Sequence, residues 1–138
     1  KQLIMILDDI GAHAVKIGML HNTGIIKSVY KTLKKYKSKN VVLDPVMIAK
    51  GGAKLISNSS IKHLKKLLLP LCTIVTPNIP EAEVLTGYSI SSKEDMIKAA
   101  KKILSMGPKN VLLKGGHLKN KMIFDILATN KEIKVFRN

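Results

Sequence analysis

AVKIGMLHNTGIIKSVYKTLKKYKSKNVVLDPVM, residues 14–47, decides the fold class. It opens on a short apolar run, Ala14-Val15-Lys16-Ile17, and closes on another, Val41-Val42-Leu43. Between them, Thr23 to Lys39 places Ile26, Val29, Tyr30 and Leu33 at helical spacing with lysines opposite, which predicts one amphipathic crossover helix. A short strand, a helix and a second short strand form a βαβ unit, and a crossover of this length joins parallel strands.

The same alternation continues downstream. Thr73-Ile74-Val75 and Val111-Leu112-Leu113 read as two further buried strands. A second helix is expected from Ser60 to Leu69, with Ile61, Leu64, Leu67 and Leu68 on one side and Pro70 as its stop. A third is expected from about Ser92 to Met106, with Ser91 and Glu94 suited to a capping box and Gly107-Pro108 as its end. Strands apolar on both faces and separated by helices predict an α/β fold, with a central, mostly parallel sheet and helices on both faces. The tail differs: Met122 to Ala128 and Glu132 to Phe136 flank Thr129-Asn130-Lys131, the pattern of a terminal antiparallel hairpin. No repeat or linker interrupts the chain, so residues 1–138 read as a single domain.

Composition narrows the function classes. The 138 residues carry 24 Lys and Arg against 9 Asp and Glu, a formal charge of +15, yet 46% of them are hydrophobic. That much apolar content excludes a disordered basic tail. All basic residues but Arg137 are lysines, and the aromatics are Tyr30, Tyr36, Tyr88, Phe124 and Phe136 alone. Base readout leans on the bidentate guanidinium and single-strand binding on stacked aromatics, so a nucleic-acid partner is disfavoured despite the charge. Lys31, Lys34, Lys35, Lys62, Lys65, Lys66, Lys98, Lys101 and Lys102 fall where helices should face water. Cys72, the only cysteine, sits in an apolar run as a small buried hydrophobe and allows no internal disulfide. The apolar runs are too short to span a bilayer or form a signal peptide, so a cytoplasmic location is expected.

Ligands of open parallel sheets bind beyond the carboxyl ends of the strands. There the sequence places Gly18-Met19-Leu20, Asp44-Pro45-Val46-Met47, Thr76-Pro77-Asn78-Ile79-Pro80-Glu81 and Lys114-Gly115-Gly116-His117. Asp44 and Glu81 are hard oxygen donors suited to Mg²⁺. Lys114 offers a point charge to a phosphate, and Gly115-Gly116 a turn that lets backbone N–H groups approach an anion. Thr76 and Asn78 can hydrogen-bond phosphate oxygens or metal-bound water. Taken singly, each has a plainer role: Asp44-Pro45 a strand-ending turn, Glu81 a charge at a helix N-terminus, Gly115-Gly116 a turn, Lys114 a strand-end cation and Met19 core. Their joint placement on one edge suggests phosphoryl transfer from a Mg-nucleotide, in which positioning and charge neutralisation carry most of the catalysis. Dinucleotide, Walker and nucleophile-elbow motifs are absent, and the four histidines lack cysteines at zinc-site spacing; only His117 lies beside the proposed site.

Four segments carry a family resemblance: Val15 to Leu20, Asp44 to Lys50, Leu69-Pro70-Leu71 through Thr76 to Gly87, and Lys114 to Leu118. Together they closely resemble the hydroxymethylpyrimidine/phosphomethylpyrimidine kinases of thiamine biosynthesis, members of the ribokinase-like superfamily. Pyridoxal kinases share the Asn-x-x-Glu and part of the Asp-Pro motif, but Pro45-Val46-Met47 and Lys114-Gly115-Gly116-His117 favour the pyrimidine branch. Ile17 and Gly51 depart from it, standing where Thr and Ser are common.

The resemblance implies ATP- and Mg²⁺-dependent phosphorylation of 4-amino-5-hydroxymethyl-2-methylpyrimidine and then of its monophosphate. It implies that Asn78 and Glu81 form the magnesium-and-phosphate motif, with Asp44 near the metal, Lys114 on the nucleotide phosphates, and Met19 and Val46 lining the pyrimidine pocket. Family members are nearly twice as long. They carry a glycine-rich first strand upstream and a Gly-Thr-Gly-Cys segment downstream that supplies the anion hole and base; residues 1–138 contain neither. A partial ribokinase-like domain is therefore expected, with no catalytic base in this chain and no useful activity alone. Missing helices should leave apolar patches that favour a second copy or a complementing chain. Three other readings compete: a non-catalytic remnant of a split or decaying kinase gene, a pyridoxal-kinase-like vitamin kinase, and a basic nucleic-acid-binding module.

Overall fold

The computed structural model describes residues 2–49, 52–116 and 123–137. Lys50, Gly51, His117, Leu118 and Met122, which the sequence places at or near the candidate site and the hairpin, lie outside them. Six strands form one mixed sheet whose spatial order follows the chain: β1 (Val15–Ile17), β2 (Val41–Leu43), β3 (Ile74–Val75), β4 (Asn110–Leu113), β5 (Phe124–Thr129) and β6 (Ile133–Arg137). The first four are parallel, and β5 and β6 add antiparallel, as the βαβ pattern and the hairpin predict.

Sequential order with right-handed crossovers sends every connecting helix to the same side of the sheet. Burial agrees. Ile17, Val41, Leu43, Val75, Val111, Leu113, Ile126 and Ala128 alternate onto a buried face, whereas Val42, Ile74, Leu112 and Leu127 on the other face are half-exposed. The expected second helical layer is not among the described residues.

On the covered face lies α2 (Thr23–Lys35), capped by the Asn22 side chain on the Ile25 N–H. It stops short of the expected Lys39. Lys37 turns left-handed at φ 50°, and the Ser38 N–H closes back on the Leu33 carbonyl, a Schellman ending. Next comes α3 (Asn58–His63), capped by Ser57, which begins two residues before the predicted Ser60. It widens into a π-helical turn at Leu64–Leu68, and a 3₁₀ turn at Leu69–Leu71 carries it past Pro70. Proline lacks the N–H that an α-helical continuation would need, so the last turns change pitch instead of breaking. Cys72 follows, 1% exposed, its thiol donating to the Leu68 carbonyl and pushed up to about 12 by burial, as suits a core residue.

Two further helices close the layer. The sequence reading missed α4 (Ile79–Thr86) as an element; α5 (Lys93–Leu104) was expected, with a different cap. Its capping box pairs Ser92 with Asp95 rather than Ser91 with Glu94. This phase turns Met96, Ala99, Ala100 and Ile103 into the core and leaves Glu94 in solvent against Lys93. Asp95 gathers the N–H and hydroxyl groups of both serines, which holds its carboxyl below the ordinary carboxylate value. Ser92→Ala should cost about 1 kcal/mol in urea unfolding. A depressed native pKa adds stability above the ordinary carboxylate range that is lost as pH falls through it, so Asp95→Asn should flatten the acid limb of stability against pH.

One more helix precedes the sheet, α1 (Gln2–Asp9), which the sequence reading also missed. It meets α2 through a hydrogen bond from the Tyr36 hydroxyl to Asp8 and leaves Ile4, Met5, Ile6 and Ile10 exposed. Val135 and Phe136 are exposed on β6, the far edge strand. No helix among the described residues is long and apolar enough to cross a membrane.

Candidate functional site

The carboxyl ends of β2, β3 and β4 are locked side by side by backbone bonds that run on past the strands. The Asp44 N–H donates to the Ile17 carbonyl at 2.8 Å, Thr76 to Leu43 at 3.0 Å and Lys114 to Pro77 at 2.9 Å. Asn78 and Lys114 form a parallel bridge. Strand alternation puts Asp44, Thr76 and Lys114 in phase with Val42, Ile74 and Leu112, so all three emerge at the rim of the uncovered face.

There the three side chains meet. Lys114 Nζ stands 3.3 Å from Asp44 Oδ1, and Thr76 Oγ1 stands 3.4 Å from the same oxygen. The ion pair is partly open, with the lysine side chain 42% exposed and the aspartate 28%. A polyanion can therefore reach the ammonium from outside while Asp44 keeps lone pairs for a cation.

Behind this pair, Asn78 and Glu81 are tied into a reciprocal capping box that starts α4. Asn78 Oδ1 accepts from the Glu81 N–H at 2.9 Å, and Glu81 Oε2 accepts from the Asn78 N–H at 2.8 Å. The plainer reading of Glu81 as a helix N-terminal charge is thus correct as far as it goes. Glu81 is nonetheless only 3% exposed, and burial raises its pKa, partly offset by the Asn78 N–H and the nearby Lys114 charge.

A buried carboxylate with a raised pKa penalises the native state at neutral pH. The penalty is absent below the unfolded value and complete above the folded one, so stability falls as pH rises between them. Glu81→Gln keeps an acceptor for the Asn78 N–H and removes the charge. Thermal unfolding should show it more stable than the parent protein at neutral pH, with the difference vanishing as pH falls below the ordinary carboxylate range.

The two glycines after β4 differ. The buried Gly115 gives its N–H to Asp125 Oδ1 at 2.9 Å, so in this structure that N–H is engaged rather than offered to an anion. A Cβ there would stand 1.8 Å from the Phe124 carbonyl oxygen. Gly116 is exposed, with open space where its Cβ would be. Met19 is 49% exposed beyond β1, which removes the core reading, and Val46 is half-buried beyond β2. Neither makes a hydrogen bond into the Asp44 cluster through its apolar side chain. Asp125 is the residue that sequence reasoning missed. Its signal was the hairpin register: Leu113 pairs with Ile126, and one step further Lys114 faces Asp125.

Asp44 and Glu81 carry carboxylate oxygens of the kind Mg²⁺ prefers, and would be the residues to hold it. No cluster of three or more acidic, histidine or cysteine side chains suited to a metal occurs among the described residues. Such sparse ligation fits a magnesium ion carried largely by substrate phosphates and water.

A family model for phosphomethylpyrimidine kinase matches residues 1–138. The chain belongs to the phosphomethylpyrimidine kinase family. A hydroxymethylpyrimidine/phosphomethylpyrimidine kinase of Aquifex aeolicus is 44% identical over 137 residues, covering 99% of this chain and 54% of the relative. The bifunctional thiamine biosynthesis protein of Geobacter sulfurreducens is 50% identical over 117 residues, 85% of this chain and 24% of that one. Among solved structures, phosphomethylpyrimidine kinase of Clostridium difficile superposes with a TM-score of 0.90 at 45% identity, over 98% of this chain and 58% of its own. The ADP complex of Bacillus subtilis pyridoxal kinase superposes at 0.89 with 38% identity, over 99% and 50%. The chain spans about half the length of the kinases it matches along its whole extent. The mixed sheet with its helices is thus the ribokinase-like architecture of this kinase family.

Proposed function

We propose that the protein carries the phosphate-and-metal edge of a hydroxymethylpyrimidine/phosphomethylpyrimidine kinase, acting with ATP and Mg²⁺ in thiamine biosynthesis in the cytoplasm. The observation that carries the reading is the meeting of Asp44, Thr76 and Lys114 at one rim of the sheet, backed by Asn78 and Glu81. Lys114 holds the nucleotide phosphates by charge, and Thr76 and Asn78 orient their oxygens. Asp44 and Glu81 hold the cation, which when bound neutralises the charge that develops on the transferred phosphoryl group. Gly116 lets the phosphate chain pass close to the backbone, while Gly115 shapes the turn from within. Met19 and Val46, beyond β1 and β2, form the side of the pocket that takes the pyrimidine.

The substrate assignment follows the curated relatives at 44–50% identity, whose names specify the pyrimidine or thiamine biosynthesis. Pyridoxal kinase neighbours lie at 33–38% and keep a pyridoxal-directed reading as the alternative. Release of ADP with 4-amino-5-hydroxymethyl-2-methylpyrimidine, its monophosphate and pyridoxal as acceptors separates the two. Turnover of the pyrimidines in preference to pyridoxal supports the assignment, and preference for pyridoxal overturns it. A second reading, nucleotide binding without turnover, predicts Mg-ATP binding with no ADP release from any of the three.

A further inference from the structure

Lys114 can serve a phosphate only if its side chain leaves β4 in a fixed direction, and that direction is set by the two peptide groups flanking its Cα. One is held on the β3 side, where the Lys114 N–H donates to the Pro77 carbonyl at 2.9 Å. The other is held on the β5 side, where the Gly115 N–H donates to Asp125 Oδ1 at 2.9 Å. With both peptide planes anchored, φ and ψ of Lys114 are restrained, and its ammonium lies 3.3 Å from Asp44.

The second anchor is a side chain, and an acidic one. A carboxylate accepting a backbone N–H makes a stronger bond than a neutral acceptor. Gly115 must be glycine for this geometry, because the turn presses against the Phe124 carbonyl of the residue just before Asp125. β5 thus grips the end of β4 twice at the same place, once by contact and once by charge.

We propose that Asp125 is the positioning residue of the phosphate edge, acting through the Gly115 N–H to aim Lys114. The role rests on the reading of Lys114 as a phosphate ligand for its consequence, but the aiming itself is a property of the free protein. Asp125 acts through Lys114 and is distinct from the Asp44 and Glu81 carboxylates proposed for the cation.

Two readouts test it separately. In the free protein, amide exchange at Gly115 and the backbone chemical shifts of Lys114 should both change in Asp125→Ala, with Asp125→Asn close to wild type because its amide oxygen still accepts. Unchanged exchange and shifts in folded Asp125→Ala overturn the proposal whether or not nucleotide binds. If Asp125→Ala does not fold, Asp125→Ser takes its place, being too short to reach Gly115 in the same way.

With Mg-ATP, Asp125→Ala should weaken binding about tenfold, and Asp125→Asn less than threefold, through the loss or weakening of the charged hydrogen bond to the Gly115 N–H. In a Lys114→Ala background Asp125→Ala should add little, since both changes remove the same contact. Full additivity of the two losses would show that Asp125 does not act through Lys114 and would overturn the proposal. Absence of Mg-ATP binding by the folded wild type would instead count against the kinase reading alone, leaving the exchange measurement to decide on Asp125.

Discussion

Gly115→Ala is expected to be the most damaging single methyl group that can be added to the end of β4. Its Cβ would lie 1.8 Å from the Phe124 carbonyl oxygen, 2.9 Å from the carbonyl carbon and 3.0 Å from Met96 Cε. The methionine tip can move, but the Phe124 carbonyl cannot do so without shifting β5. That strand is paired on both sides, to β4 and to β6, so relief at Gly115 strains two ladders at once. Overpacking a well-filled site typically costs about 1–3 kcal/mol, and a clash with backbone belongs at or above the top of that range. Urea unfolding should show a midpoint lowered accordingly, and the Gly115 to Asp125 bond should be broken in whatever remains folded. Gly116→Ala, with open space around it, should leave the midpoint within about 0.5 kcal/mol of the parent value.

Lys114→Ala is expected to do the opposite, sparing the fold and damaging the site. Its partner Asp44 is partly exposed, and an ion pair so open to water contributes about 0–1 kcal/mol to stability. Melting should therefore change little. A lysine on a phosphate makes a charged hydrogen bond worth about 1.5–3 kcal/mol, so affinity for Mg-ATP should fall roughly 10- to 100-fold. Displacement of a fluorescent ATP analogue by Mg-ATP reads this directly. The contrast between neighbours is diagnostic: one residue apart, these outcomes would mark Gly115 as a residue of the fold and Lys114 as a residue of the proposed site.

The same contrast explains what the sequence made legible. β1 to β4 were readable because each is a short apolar run bounded by turn residues, and α2 because Ile26, Val29, Tyr30 and Leu33 recur at helical spacing. The polar group after each of β2, β3 and β4 could then be assigned to one edge by topology alone. α4 was legible only as a helix N-terminus near Glu81 and not as an element, because Thr76-Pro77-Asn78-Ile79-Pro80 carries two prolines and resembles a loop. The helix begins there because Pro80 occupies the first turn, where its missing N–H costs nothing, and because Asn78 and Glu81 close the box. The Asn-x-x-Glu motif is thus a structural cap and a candidate ligand pair at once.

Other misses have similar causes. Leu3 to Leu7 is a continuous apolar run without a period, so α1 gave no helical signature. Ser91 and Ser92 are both plausible caps, and the choice is made by which phase buries Met96 and Ala99, a tertiary fact. Asp125 looked like an ordinary strand residue until the β4 to β5 register set it opposite Lys114. The one-sided helical layer follows from strand order, which an alternation of strands and helices does not specify. It has a functional corollary, since Asp44, Thr76 and Lys114 rise from the same side of the sheet as the half-exposed Val42, Ile74 and Leu112.

On the proposed function, this rim binds the phosphates of a magnesium nucleotide. Calorimetric titration of the folded protein with adenosine, ADP and ATP, each with and without Mg²⁺, tests it most directly. Affinity should rise in that order and depend on Mg²⁺ for the two phosphorylated ligands, because Lys114, Asp44 and Glu81 act on phosphate and cation. Equal affinity for adenosine and Mg-ATP, or no binding of Mg-ATP to the folded protein, would contradict it.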